Sequence, residues 1–366
     1  MRRVLTLDLA LDGGGSKGIA LNAALAEILA RGHRIRRLVG TSAGAIAAAL
    51  VTAGFSGEEL VAMSLDRTDD GQPLFSEYLS EPFVPVSAEA EPSITEVQLA
   101  ALRLPGDLGR KLMTARAALS FLETGGFVSG EGFTGWLMRQ LEGKRPGLSR
   151  ITLGALFEQT GRHLTLVVTD TTARRLRALN HLSAPSCPLV SAVRMSMSIP
   201  LLFAEVHWRA EWGLYAGEDL TGHTMVDGGL LSNLPLGFIL PTANALVGQL
   251  MGPPPGGLAF PVGVMLDTTV EVPGAPPLEA SSSFSGLLAS SRLGQRLSVL
   301  ADTIAHGLDL TIADTVPHAL CRLPAKGYRA TEFDMSLARA EALVRAGRAA
   351  TATYFDALEA RAAQRG

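Results

Sequence analysis

The stretch Val39-Gly40-Thr41-Ser42-Ala43-Gly44-Ala45-Ile46 decides how the rest of the chain is read. Ahead of it lies the apolar run Ile35 to Val39, interrupted by Arg36 and Arg37, which reads as a strand. Behind it, Ala43 to Ala53 is almost entirely Ala, Ile, Leu and Val, the composition of a buried helix. A Gly-x-Ser-x-Gly turn between strand and helix is the nucleophile-elbow pattern, so tight that both flanking positions must be very small. The serine hydroxyl then stands out at the strand tip, and the helix N-terminus beneath it favours developing negative charge. Strand, turn and buried helix in that order point to an α/β protein.

The pentapeptide alone is weak. Gly14-Gly15-Ser16-Lys17-Gly18 fits it equally well, and a chain with 39 glycines will produce chance matches. Context separates the two. Ser42 follows its strand without a gap, whereas Ser16 sits several residues past the strand Val4 to Leu11, inside a glycine loop. That loop also spells Gly-x-Gly-x-x-Gly. A dinucleotide site would need an acidic residue about 20 positions on, at the end of the second strand. No Asp or Glu lies between Glu27 and Glu58. A Walker A loop fails too, because no glycine directly precedes Lys17 and no Ser or Thr follows it. What remains is an oxyanion hole: consecutive glycines let backbone N–H groups face a site unobstructed, and loops at the carboxyl ends of neighbouring parallel strands meet at one edge.

The 366 residues suffice for one large α/β domain or two ordinary ones, and 47% hydrophobic content leaves ample core material. A net charge of −3 argues against a nucleic-acid partner. Only Cys187 and Cys321 occur, so no disulfide framework or cysteine zinc site is expected. Clustered His/Cys ligands and EF-hand spacing are missing as well, so no metal or other cofactor is called for. Asp8 and Asp12 interrupt any signal-peptide core, and no apolar run approaches the roughly 20 residues of a spanning helix. The expectation is a soluble, cytoplasmic protein that is at most peripheral to a membrane.

Along the chain, a helix is expected from Ile19 to about Ala30, and Ser56-Gly57-Glu58-Glu59 is a capping box opening another to about Leu65. From Asp66 to Gly126 prolines break the periodicity, and this segment reads as an insertion. Ser129 to Leu141 and Pro188 to Ser198 read as helices, His163 to Thr169 and Leu176 to Leu179 as strands. Met225-Val226-Asp227-Gly228-Gly229 places an aspartate at a strand end, either presented on a turn or serving a plain Asx turn. Ala245 to Leu250 and Phe260 to Asp267 read as further strands, Ser291 to Ala313 and Met335 to Gln364 as long helices.

Together these blocks resemble the patatin-like phospholipase family. The resemblance rests on Asp12-Gly13-Gly14-Gly15-Ser16-Lys17-Gly18, Gly40-Thr41-Ser42-Ala43-Gly44 and Asp227-Gly228-Gly229, with a looser match at Ala192 to Pro200. Order and spacing agree from residue 4 to about residue 240; Met195 and Met197 depart from the smaller residues usual in the fourth block. The resemblance implies a three-layer α/β/α fold with a mainly parallel central sheet. The chain then reads as one hydrolase domain over 1–366, and the pattern of its own residues makes 66–126 a largely helical cap insertion and 271–366 a mostly helical part packing on the sheet. The resemblance also implies a Ser42–Asp227 dyad, with oxyanion N–H groups from Gly13, Gly14, Gly15 and Ala43. The activity implied is cleavage of carboxylic esters of phospholipids or other acyl esters through an acyl-enzyme.

Two other readings stay open. Ser42, Asp227 or Asp267, then His306 or His318 has the chain order of an α/β-hydrolase triad. A non-catalytic lipid-binding or scaffold protein would keep the same motifs as vestiges. Within the insertion, apolar residues alternate with Arg103, Arg110, Lys111 and Arg116, a basic cluster suited to an anionic membrane surface, or simply a solvated face of a helical subdomain.

Overall fold

The computed structural model describes residues 4–69, 71–74, 126–240, 244–253, 256–278 and 314–364. Its strands are β1 (Thr6–Leu11), β2 (Arg34–Thr41), β3 (Gly126–Val128), β4 (His163–Asp170), β5 (Arg175–Asn180), β6 (Leu201–Phe203), β7 (Val206–His207), β8 (Thr224–Asp227), β9 (Phe260–Glu271) and β10 (Leu320–Lys326). Its helices are α1 (Ile19–Ala30), α2 (Ala43–Thr52), α3 (Gly57–Leu65), α4 (Glu131–Lys144), α5 (Leu153–Thr160), α6 (Leu189–Ser196), α7 (Ala245–Met251) and α8 (Leu337–Gln364).

The central sheet runs β10-β9-β1-β2-β4 in parallel, and β5, β8 and β7 add antiparallel pairs at the far side. The middle strands read as nearly continuous apolar runs because helices cover both faces. Leu7, Leu9 and Leu11 of β1 are wholly buried. The Ala-rich face of α1 lets α8 lie close: a Cβ at Gly347 would come within 2.8 Å of the Ala20 carbonyl.

The far side holds the detail that matters for function. Residues 165–167 of β4 pair with both β2 and β5, and residues 168–170 pair with both β5 and β8. β2 and β8 therefore share one edge of β4, end to end. Thr41 lies opposite Val167 and Asp227 opposite Val168. The strand that leads into the elbow and the strand that ends in the aspartate run toward each other and stop at adjacent residues of β4.

Local signals hold where they were strong. The Ser56 capping box forms as read, with the Glu59 N–H donating to Ser56 Oγ at 3.2 Å and the Ser56 N–H donating back to the Glu59 carboxylate at 2.7 Å. One expectation needs correction. Ala245 to Leu250 is helix α7, not a strand, because Asn244 Oδ1 accepts from the N–H groups of Leu246 and Val247 and caps it. The 271–366 part, expected to be mostly helical, contributes α8 and also β10, an edge strand, the position in a sheet where a proline such as Pro324 is tolerated. Residues 75–125 of the insertion, including its basic cluster, and the helix expected from Ser291 to Ala313 lie outside the described residues. Among the described residues no helix is long and apolar enough to cross a membrane.

Candidate active site

At the end of β2 the chain turns through Ser42 with φ 53° and ψ −120°, a region that L side chains avoid. Neighbours enforce this geometry. The Ser42 N–H donates to Ser196 Oγ at 3.1 Å, and that hydroxyl donates on to the Val167 carbonyl at 2.6 Å. The Ser42 carbonyl accepts from the N–H groups of Ala45 and Ile46 at 2.9 and 3.1 Å, which opens α2. The two motif glycines are steric necessities. A Cβ at Gly40 would sit 2.3 Å from the Gly44 carbonyl oxygen, and one at Gly44 would sit 2.5 Å from the carbonyl oxygen of Leu11.

Asp227 closes β8, its own N–H donating to the Ser198 carbonyl at 2.9 Å. Oδ1 accepts the Gly229 N–H at 2.7 Å, while Oδ2 is buried and makes no hydrogen bond of normal geometry. Burial pushes the carboxyl pKa up to about 7, opposed by the Ser42 hydroxyl and the Gly229 N–H. The serine thus acts on the carboxyl without yet closing a full bond, an arrangement that commonly tightens when substrate binds.

In the glycine loop, the Gly13 N–H is committed to the Asn233 carbonyl at 2.9 Å, and the Ser16 N–H to the Ala330 carbonyl at 2.9 Å. The N–H groups of Gly14, Gly15 and Ala43 make no hydrogen bond among the described residues. Of the four donors expected for an oxyanion hole, Gly13 is therefore the one already spent. A cavity of about 100 Å³ opens beside Gly15 and Ala43, and runs between Ile46 and Leu50 on α2, Leu60 and Met63 on α3, and Trp136 on α4. Met195 and Met197 are buried in the core and do not line it.

Three residues that the sequence reading gave no role hold this site. Asn233 Nδ2 donates to Asp12 Oδ1 at 2.6 Å and to the Gly13 carbonyl at 3.0 Å, tying the glycine loop to the loop after Asp227. Ser196 supports the elbow as above. Arg194 is buried, and its guanidinium donates to the carbonyls of Ser129 and Ala204 at 2.6 and 2.9 Å and to the Ser198 hydroxyl. Burial lowers its pKa to about 10. Arg194→Met would strand those carbonyls, so a loss of about 3 kcal/mol in denaturant-measured stability is expected. The hint in the sequence was a single charged residue within an otherwise uncharged helix.

The competing assignments separate clearly. Ser16 Oγ is spent on the Arg329 carbonyl at 2.9 Å. Asp267 is bound by Thr269 and Arg322, and His318 is exposed. His306 lies outside the described residues, and among the described ones no histidine is hydrogen-bonded to Ser42 or Asp227. No group of three or more His, Cys, Asp or Glu among the described residues is placed to hold a metal ion.

The class thus defined is an α/β protein with an elbow serine against a buried carboxyl at the carboxyl edge of a mostly parallel sheet. The family model for patatin-like phospholipase matches residues 9–239, more than half of the chain, and the chain belongs to that family of lipid acyl hydrolases. The matched span takes in the glycine loop, the elbow and Asp227. The uncharacterized protein YqhO of Bacillus subtilis (strain 168) is 29% identical over 234 residues, 63% of this chain. The match spans 65% of that relative, just under two thirds of its length. Among solved structures, VipD from Legionella pneumophila aligns with a TM-score of 0.47 at 16% identity, over 97% of this chain and 67% of that one. The ExoU–SpcU complex from Pseudomonas aeruginosa aligns with a TM-score of 0.35 at 16% identity, over 86% of this chain and 53% of that one.

Proposed function

We propose that this protein is a serine acyl hydrolase that cleaves carboxylic esters of phospholipids or related acyl lipids, with Ser42 as nucleophile and Asp227 as its base. The observation that carries this reading is the state of Asp227. Its carboxyl is buried beside an elbow serine, one oxygen is held by Gly229, the other makes no hydrogen bond of normal geometry, and its pKa is raised to about 7. An ordinary carboxylate is a poor acceptor for a serine proton; this one is matched to neutral pH.

In the first step Ser42 Oγ attacks the ester carbonyl while its proton passes to Asp227 Oδ2. The oxyanion is met by the N–H groups of Gly14, Gly15 and Ala43, three dipoles fixed before the reaction. Collapse breaks the ester C–O bond, the leaving alcohol takes the proton from Asp227, and the acyl group remains on Ser42. Water then attacks the acyl-enzyme with Asp227 as base, releasing the acid. The apolar cleft beside Ala43 receives the acyl chain, so the substrate is a lipid met at a membrane surface from the water side. Transfer to an alcohol instead of water uses the same intermediate. No cofactor enters this scheme.

The test is the pH profile on a short water-soluble ester. Only ionised Asp227 can accept the proton, so kcat/KM is expected to rise about tenfold per pH unit below about pH 7 and to level above it. A flat profile, or one that falls as pH rises through that point, contradicts the assignment. Lipid profiling with wild type against Ser42→Ala then identifies the head group and acyl position.

A further inference from the structure

The edge of the sheet opposite the dyad, where β2 begins at Arg34 and β4 at His163, holds a second cavity of about 380 Å³. His33, Arg34, Arg36, Arg162 and His163 line it together with apolar side chains and Thr52, and no carboxylate does so among the described residues. A cavity of this size falls within the range of about 300–1,000 Å³ typical of small-ligand sites.

The charge there is only partly neutralised. Arg36 is paired, with Nε at 2.9 Å and Nη2 at 2.5 Å from Asp8 and Nη1 on the Gly257 carbonyl at 2.8 Å, so the charge left at the mouth is that of Arg34 and Arg162. Arg162 spends one N–H on the Val51 carbonyl at 2.5 Å and has no acidic partner among the described residues. Arg34 is exposed at the mouth, with no ion pair among them. Glu359 stands 3.3 Å from His33 Nε2 and is already bonded to Arg31 at 2.9 Å. Burial first, then the charge of Arg37, holds the His163 pKa below its usual value, opposed by Asp8 and with a smaller lowering effect of Arg36. Such a concentration of positive charge is not a general property of a chain whose net charge is −3.

We propose that this cavity binds a phosphorylated anion, gripped at the mouth by the guanidinium groups of Arg34 and Arg162. Guanidinium forks match phosphate oxygens in pairs, and a phosphate supplies the charge that this edge lacks. Because the cavity lies at the other edge of the sheet from Ser42, the site stands or falls independently of the hydrolase reading.

Calorimetric titration of inorganic pyrophosphate into the whole protein tests this, with Arg34→Gln, Arg162→Gln, their double variant and Arg345→Gln, an exposed arginine on α8, as control. Wild type and the control should bind alike, and each cavity substitution should weaken binding about tenfold, the worth of one hydrogen bond to a charged group. A parallel arm measures flotation with phosphatidylcholine vesicles with and without phosphatidic acid. Retention on the phosphatidic acid vesicles that disappears in the double variant assigns the phosphate to a lipid head group. Pyrophosphate binding without such retention assigns it to a soluble phosphate compound. Hydrolysis of the short ester should be unchanged in the double variant. No pyrophosphate binding by wild type, or binding that the folded double variant retains, overturns the proposal.

Discussion

Ser42→Ala and Asp227→Asn are each expected to lower ester hydrolysis by about 10⁴-fold or more while leaving the circular dichroism spectrum of the fold unchanged. In the proposed dyad the proton that leaves Ser42 goes to Asp227 Oδ2, a buried oxygen that makes no hydrogen bond of normal geometry among the described residues. Neither group can therefore act without the other, and the double variant should be no slower than either single one. Ser16→Ala should keep most of the activity, since its hydroxyl serves the Arg329 carbonyl and faces no base. Steady-state rates on a soluble ester, measured side by side for the four variants, check all of this. Additive losses in the double variant would mean that the two residues work in separate steps.

The same carboxyl should show in stability. Its pKa in the folded state is about 7 against an ordinary value of 3.8, so the folded protein holds this proton more tightly than the unfolded chain does. A raised acid of this kind contributes its full stability below pH 3.8 and loses it as pH climbs toward about 7, beyond which a buried charge must be tolerated. Asp227→Asn removes that burden and keeps an oxygen for the Gly229 N–H. The variant should match wild type near pH 4 and gain steadily up to about pH 7, with a ceiling of about 4 kcal/mol above that, from three pKa units at 1.4 kcal/mol each. Urea titrations on both sides of the window read the difference. A constant offset at every pH would mean that the carboxyl is not raised. A more stable but inactive variant is the expected signature of a group kept for chemistry.

The parts of this site that were legible in the sequence are those written in local chemistry. The two glycines around Ser42 are forced by contacts with Gly44 and Leu11 carbonyls, so the turn had to be spelled in small residues. The capping box at Ser56 and the apolar runs of β1 and α2 depend on near neighbours and were read correctly. What could not be read depends on contacts across the sheet. The meeting of Ser42 with Asp227 is produced by β2 and β8 abutting on one edge of β4, and no spacing along the chain encodes that register. The bond from Asn233 to Asp12 joins residues 221 positions apart, and the same loop takes up the Gly13 N–H that the family resemblance had marked as an oxyanion donor. β10 was hidden by Pro324, which disfavours strands except at an edge, and the edge position is a property of the whole sheet.

The most direct measurement of the central claim is covalent. A fluorophosphonate reacts with a serine only where a base and an oxyanion hole activate it, so the protein is incubated with the probe at about pH 8 and the adduct mapped by peptide mass spectrometry. The dyad predicts a single adduct on Ser42 in wild type and almost none after the same exposure of Asp227→Asn. An adduct on Ser16, or undiminished labelling of Ser42 without the Asp227 carboxylate, would contradict it.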